Sequence, residues 1–122
     1  MKMRRKSLGL LVLLAAIVLP GKLSAQATRP NSIEELTRNA NGGDIKSMYE
    51  LGMRYQSGRG VNLDLTVGRQ WLEKAAKYGN ARAMQRLGDM YTDGRGGVAV
   101  DLNAGMDWFQ AEADAGGNIG ND

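Results

Sequence analysis

The central part of the chain places its apolar residues with the period of an α-helix. On a wheel of 100° per residue, four residues of segment 44–57 fall within about 60° of one direction. They are Ser47, Met48, Leu51 and Tyr55. Asp64 is placed to cap a second helix, from about 65 to 78, which Gly79 ends. The pattern predicts an all-α chain whose first helix packs through its Leu51 side.

This helix pair occurs twice. Five positions of its first half return 36 residues later: Leu51, Gly52, Tyr55, Gly58 and Gly60 recur as Leu87, Gly88, Tyr91, Gly94 and Gly96. After the inserted Gly97 the offset is 37, and Asp64, Leu65 and Trp71 recur as Asp101, Leu102 and Trp108. A fixed offset indicates a structural repeat. Residues 44–79 and 80–116 therefore form repeats 1 and 2, with the second pair of helices at about 81–92 and 102–115.

The order of these residues resembles the Sel-one-like repeat, a relative of the tetratricopeptide repeat. The shared features are Leu-Gly-x-x-Tyr, a Gly-x-Gly-Val turn, an Asp and a Trp-centred second helix; Gly68 and Gly105 stand where the family usually has Ala. The resemblance implies an α/α solenoid of antiparallel helix pairs. We expect Trp71 and Trp108 to lie between helices, and Gly52 to let a neighbouring backbone come close.

Residues 28–43 are expected to form an N-terminal capping helix. Ser32 provides a polar cap, and acidic residues follow near the positive end of the helix dipole. The spacing of Ala40 and Gly43 matches that of Ala76 and Gly79, so the segment resembles the second helix of a degenerate preceding repeat. Glu35 occupies the position of the Trp, which favours an outer helix that caps the array.

Residues 1–27 have the pattern of a secretory signal peptide. Basic residues precede an apolar run from Leu8 to Leu19, which is shorter than the roughly 20 residues that span a bilayer. Small-residue cleavage patterns end at Ala25 and at Ala27, and the choice between them is open. We expect a periplasmic or secreted protein that has no membrane attachment after cleavage; the alternative is an uncleaved anchor.

Removing this segment reverses the sign of the net charge. The full chain has 16 basic and 13 acidic side chains, and residues 1–27 hold five of the basic ones and none of the acidic ones. The remainder has 11 basic and 13 acidic side chains, a net charge of −2. Nucleic acid is therefore not an expected partner, because its phosphates bind to basic surfaces.

The composition excludes most enzymatic chemistry. The chain has no His and no Cys, which removes the usual general base, the thiol nucleophile and the usual zinc ligands. The Gly58–Val61 turn lacks the Lys-Ser/Thr of a phosphate-binding loop, and segment 89–101 lacks the spacing of an EF-hand. We expect no enzymatic activity, no cofactor and no metal site. A cell-wall-active enzyme with a carboxylate pair is a less favoured alternative.

Binding to another protein is the favoured function, and the family resemblance implies an adaptor or regulatory role. The alternative is an immunity-type protein that neutralises a toxic effector in the periplasm. The predicted binding surface is the side of each first helix opposite Leu51 and its counterpart. Its residues are Lys46, Tyr49, Met53, Gln56, Arg82, Gln85, Asp89 and Thr92. Tyr49 and Met53 are expected to anchor the partner.

The pattern stops after Gly116, and residues 117–122 are expected to form a C-terminal tail. No third first-type helix follows to cover segment 103–115, which contains Trp108 and Phe109. An exposed apolar helix face marks an interface. We therefore expect self-association, or binding of the partner, through this helix.

Overall fold

The computed structural model describes residues 31–119, with side chains described as far as residue 116. The predicted signal peptide, residues 28–30 of the capping segment and residues 120–122 of the tail lie outside the described part. Residues 31–119 form five α-helices: α1 (Ile33–Asn41), α2 (Ile45–Ser57), α3 (Leu65–Lys77), α4 (Ala81–Asp93) and α5 (Leu102–Ile119). The all-α prediction is confirmed, and no strand occurs within residues 31–119. None of these helices is long and apolar enough to cross a membrane.

The two repeats share their helix caps. The Val67 N–H donates to Asp64 Oδ1 at 3.0 Å, and the Ala104 N–H donates to Asp101 Oδ1 at the same distance. Gly58 and Gly94 end α2 and α4 with φ of 71° and 70°. These conformations favour Gly because they are left-handed. The predicted repeat is therefore a repeat of backbone geometry as well as of sequence.

The core lies between the helices of the repeats. Its largest fully buried side chains are Met48 and Leu51 of α2, Leu72 of α3 and Leu87 of α4. Leu51 and Leu87 occupy the same place in successive repeats, and both have no exposed surface. The predicted Leu51 face of α2 is confirmed, with Ser47 also buried and Tyr55 half-buried.

Glycines allow the two helices of each repeat to come close. A Cβ placed on Gly52 would lie 2.7 Å from Leu72 Cγ and 3.0 Å from the Gly68 carbonyl oxygen. A Cβ on Gly88 would lie 2.5 Å from the Phe109 ring. The close approach predicted at Gly52 is confirmed. Gly68 belongs to the same contact, because a Cβ there would lie 2.9 Å from the Gly52 carbonyl oxygen.

The chain divides into two compact units, Met1–Glu35 and Leu36–Asp122. In the described part of the first unit, the Glu35 N–H donates to Ser32 Oγ at 3.1 Å and the Asn31 N–H donates to Glu35 Oε2 at 3.1 Å. Ser32 therefore caps α1, as predicted. Glu35 has a structural role because its side chain closes this cap from the other direction.

The second unit includes the end of α1, where Leu36 and Ala40 are buried. The turn into α2 has the same hydrogen bonds as the turn from α3 into α4. Asp44 N donates to the Asn39 carbonyl at 2.9 Å, as Asn80 N does to the Ala75 carbonyl at 3.0 Å. This equivalence, 36 residues apart, supports the interpretation of α1 as the second helix of a degenerate repeat.

Two details differ from the predictions. Helix α5 does not end near Gly116 but continues to Ile119. At the equivalent Gly79, φ is 95° and the chain reverses into α4, whereas Gly116 keeps a negative φ. Trp71 and Trp108 are half-buried, while the neighbouring Leu72 has no exposed surface. Lys74 Nζ lies 5.3 Å from the centre of the Trp71 ring, at the edge of the core.

Candidate protein-binding site

The structure divides the eight predicted binding residues into separate groups. Lys46, Arg82 and Gln85 are exposed. Tyr49 is half-buried and lies outside the cleft described below. Met53, Gln56 and Asp89 line one cleft together. The cleft therefore brings together three of the eight predicted residues.

Gln56 and Thr92 occupy equivalent positions, and each packs against a glycine of the second helix of its repeat. Gln56 Nε2 donates to the Leu65 carbonyl at 2.9 Å. Thr92 Oγ1 donates to the Gly88 carbonyl at 3.0 Å, and its Cγ2 would lie 2.5 Å from a Cβ on Gly105. Both side chains are half-buried, and their role in partner binding stays a prediction. Gly68 and Gly105 leave room for them between the helices, so their polar atoms are used within the chain.

The cleft lies between repeat 1 and repeat 2 and has a volume of about 320 Å³. Its apolar wall comes from three helices, with half-buried Met53 on α2, half-buried Leu65 on α3 and buried Met90 on α4. Gly96 approaches Gln56 from the following turn. The inserted Gly97 lies over α3: a Cβ placed on it would lie 3.3 Å from Leu65 Cβ. The inserted residue therefore brings the turn between α4 and α5 into contact with α3 of repeat 1.

Charged side chains surround this apolar wall. The cleft is lined by three arginines and one aspartate, Arg59, Arg86, Arg95 and Asp89. Arg59 Nη2 lies 2.7 Å from Glu50 Oε1, and Arg95 Nη2 lies 2.8 Å from Asp93 Oδ2. Within residues 31–116, neither Arg86 nor Asp89 forms an ion pair. Both retain hydrogen-bonding capacity for a partner.

Sequence reasoning missed Arg59, Leu65, Arg86, Met90 and Arg95. The predicted surface lies on one side of the first helices, whereas the cleft is formed by two repeats and a turn. A comparison of the two repeats in the sequence points to two of these residues, Arg86 and Met90. At the 36-residue offset, Glu50 is replaced by Arg86 and Arg54 by Met90. Positions that change chemistry while the surrounding spacing is retained indicate a surface that differs between the repeats.

The residues of the cleft are suited to non-covalent binding. Met and Leu side chains provide an apolar wall that adapts in shape, and Arg provides hydrogen-bond donors in a planar fork. The only hydroxyl of the cleft lining, Ser57 Oγ, donates to the Met53 carbonyl at 2.9 Å. No group of three or more residues suited to hold a metal ion occurs in the described part of the chain.

A second exposed apolar surface lies on α5. The exposed fractions of Leu102 and Met106, one helical turn apart, are 61% and 65%. The counterpart of Leu102 in repeat 1 is Leu65, which the turn of repeat 2 covers. The two repeats therefore differ in what packs on the beginning of their second helix.

Two consecutive matches to the Sel1 repeat model cover residues 45–80 and 81–117. The chain is 37% identical over 62 residues to the ERAD-associated E3 ubiquitin-protein ligase component HRD3A of Arabidopsis thaliana. The aligned segment is 50% of this chain and 9% of that protein. It therefore spans only a small part of this curated relative.

Two solved structures have a similar fold. A Sel1 repeat protein from Oxalobacter formigenes is 38% identical, with a TM-score of 0.63, over 67% of this chain and 61% of that one. A protective antigen of uropathogenic Escherichia coli strains, which displays an SLR fold, is 28% identical, with a TM-score of 0.64, over 69% of this chain and 18% of that one. The α/α solenoid prediction is confirmed. The chain belongs to the Sel1 repeat family.

Proposed function

We propose that this chain is an exported adaptor or regulatory module that binds another protein through the cleft between its repeats. One observation carries the proposal: an apolar wall formed by Met53, Leu65 and Met90 lies beside Arg86, which forms no ion pair within residues 31–116. Apolar anchors beside a hydrogen-bonding side chain are typical of interface centres. Sel1 repeats generally mediate protein–protein binding, which supports the same class of function.

Affinity capture from an envelope extract tests this proposal. The mature chain is compared with a cleft variant, Met53→Ala with Arg86→Ala, and with a matched variant, Lys46→Ala with Gln85→Ala, at exposed positions outside the cleft. The expected result is a partner retained by the mature chain and the matched variant and lost by the cleft variant. Equal retention by all three proteins contradicts the cleft as the binding site. Absence of any specific partner contradicts the binding function.

The identity of the captured protein separates two roles. A host protein of the envelope supports the adaptor or regulatory role. A toxic effector, together with cell survival during effector challenge that requires this chain, supports the immunity-type role instead.

Export is supported by the basic and apolar pattern of residues 1–27. Mass spectrometry of the periplasmic fraction is expected to find a chain that begins at Gln26 or Thr28. Recovery of the full-length chain from the cytoplasm contradicts export and the periplasmic or secreted location.

Self-association through α5 is the second part of the proposal, and the exposure of Leu102 and Met106 supports it. Sedimentation across a concentration series is expected to show association that the change Leu102→Lys with Met106→Lys abolishes. A mature chain that remains monomeric at high concentration contradicts this part alone.

A further inference from the structure

We propose that the cleft selects an acidic segment of its partner, in which a Glu or Asp lies next to an apolar side chain; this inference rests on the proposed binding function. The carboxylate is expected to bind Arg86, supported by Arg59 and Arg95. The adjacent apolar side chain is expected to contact Met53 and Leu65.

The charges of the cleft favour an anionic group. Three arginines and one aspartate line it. Arg59 and Arg95 each use one terminal nitrogen for an acid outside the cleft lining, Glu50 and Asp93. Their remaining N–H groups and the whole Arg86 guanidinium are still able to donate. A carboxylate accepts two parallel hydrogen bonds from such a fork, which makes it a well-matched ligand.

Asp89 sets a condition on this ligand. Asp89 lines the same cleft, is half-buried and forms no ion pair within residues 31–116. It repels a second anion, so a segment with a single carboxylate at the cleft fits better than a phosphate or a run of acids. The Met and Leu wall favours an apolar neighbour beside that carboxylate.

The comparison of the repeats shows why this chemistry belongs to the cleft. In repeat 1, Glu50 occupies the position of Arg86 and accepts from Arg54 at 2.9 Å and from Arg59 at 2.7 Å. Within repeat 1, Glu50 therefore pairs with one nitrogen of each of these two arginines. In repeat 2, Arg86 stands in that position, and within residues 31–116 it forms no ion pair with a carboxylate of the chain. A partner's carboxylate would pair with Arg86, as Glu50 pairs with Arg54 and Arg59 in repeat 1.

Fluorescence anisotropy with short labelled peptides tests the inference. Each probe carries one Glu, one Gln or one Lys between Leu residues. The mature chain, which has a net charge of −2 from its 11 basic and 13 acidic residues, is expected to prefer the Glu peptide. Because the overall charge opposes this preference, it reports the local charge of the cleft. Raising the salt concentration is expected to weaken the binding.

Four variants locate the interaction. Arg86→Glu and Arg86→Gln are expected to lower affinity for the Glu peptide about tenfold or more, because each removes charge-assisted hydrogen bonds. Asp89→Asn is expected to raise it about two- to fivefold, because it removes a repelling charge. Arg82→Glu is the matched control: it makes the same charge change as Arg86→Glu, on an exposed residue of the same helix outside the cleft, and is expected to change the affinity little.

Three results would overturn the inference: equal binding of the three peptides, equal losses in Arg86→Glu and Arg82→Glu, or weaker binding by Asp89→Asn. Circular dichroism of each variant separates loss of binding from loss of fold. If the peptide tests fail while the cleft variant still loses its captured protein, the acidic chemistry is wrong and the proposed function remains. If the peptide tests fail and the cleft variant also retains the captured protein, the proposed binding through the cleft is contradicted.

Discussion

Repeats 1 and 2 have the same backbone and different surfaces. The Asp64 N–H donates to the Tyr55 carbonyl at 2.9 Å, and the equivalent Asp101 N–H donates to the Tyr91 carbonyl at 2.8 Å. In contrast, Glu50 of repeat 1 pairs with two arginines, while its counterpart Arg86 forms no ion pair within residues 31–116. Residues that recur at the fixed offset therefore maintain the fold, and residues that change determine what each repeat contacts.

The largest effect is expected where the repeats agree in the core. Leu51→Ala and Leu87→Ala should each lower the free energy of unfolding by about 2–5 kcal/mol, because both side chains are fully buried and each change leaves a cavity. Urea denaturation measures both values. Leu63→Ala, at a 60% exposed position, is the control and should change stability by less than about 0.5 kcal/mol. A large loss in only one of the core variants would contradict the equivalence of the repeats.

The next effect concerns the close contacts between helices. Gly52→Ala and Gly88→Ala should each destabilise the protein by about 1–3 kcal/mol, since their new Cβ atoms meet Leu72 and the Phe109 ring. Gly116→Ala is a control of opposite sign. Its Cβ meets nothing nearer than Glu112 Oε1 at 4.0 Å, so the higher helix propensity of Ala should stabilise α5 by about 0.5–1 kcal/mol. Thermal melts compare the three variants, and an unchanged melt for both Gly52→Ala and Gly88→Ala would remove the close-contact explanation.

A smaller effect is expected at the helix caps. Asp64→Ala and Asp101→Ala should each lower the free energy of unfolding by about 1 kcal/mol. Each change removes the hydrogen-bond acceptor that caps the first turn of α3 or α5. Asp64→Asn is the control, because Asn caps helices about as well. Urea denaturation of the variants measures the effect, and equal losses for Asp64→Ala and Asp64→Asn would exclude capping as its cause.

The smallest effect is expected from the charges that distinguish the repeats. Glu50→Gln removes the partner of Arg54 and Arg59 and should cost no more than about 1 kcal/mol, with the cost reduced at high salt. Arg86→Glu should leave stability within about 0.5 kcal/mol, because the side chain is exposed. Melts at low and high salt measure both. Strong destabilisation by Arg86→Glu would give this residue a structural role in place of a binding role.

The sequence predicted the fold well because repeat spacing and helix periodicity report backbone geometry. The start of α2 is offset by one residue from the prediction, and the buried face around Leu51 is confirmed. Periodicity also placed Asp64, Asp101 and the glycine turns correctly. These features depend on local geometry, which neighbouring residues in the sequence determine.

The candidate site was predicted only in part, because it depends on which helices meet. A helical wheel gives the direction of Gln56 around α2 but not the presence of the Leu65 carbonyl 2.9 Å away. It identified Met53 and Asp89 but could not show that Arg86 and Leu65 share their cleft. For Trp71, recurrence predicted burial between helices, yet Leu72 occupies the fully buried position. Leu72→Ala should therefore destabilise the protein more than Trp71→Ala.

Photo-crosslinking in cells tests most directly the claim that the cleft is the binding site. A photoreactive residue is placed at position 53, inside the cleft, or at position 85, exposed on α4 outside it. The cleft account predicts a covalent adduct with the partner from position 53 that disappears in an Arg86→Glu background, and no such adduct from position 85. An adduct from position 85 and none from position 53 would contradict it and return the binding surface to the exposed face of the first helices.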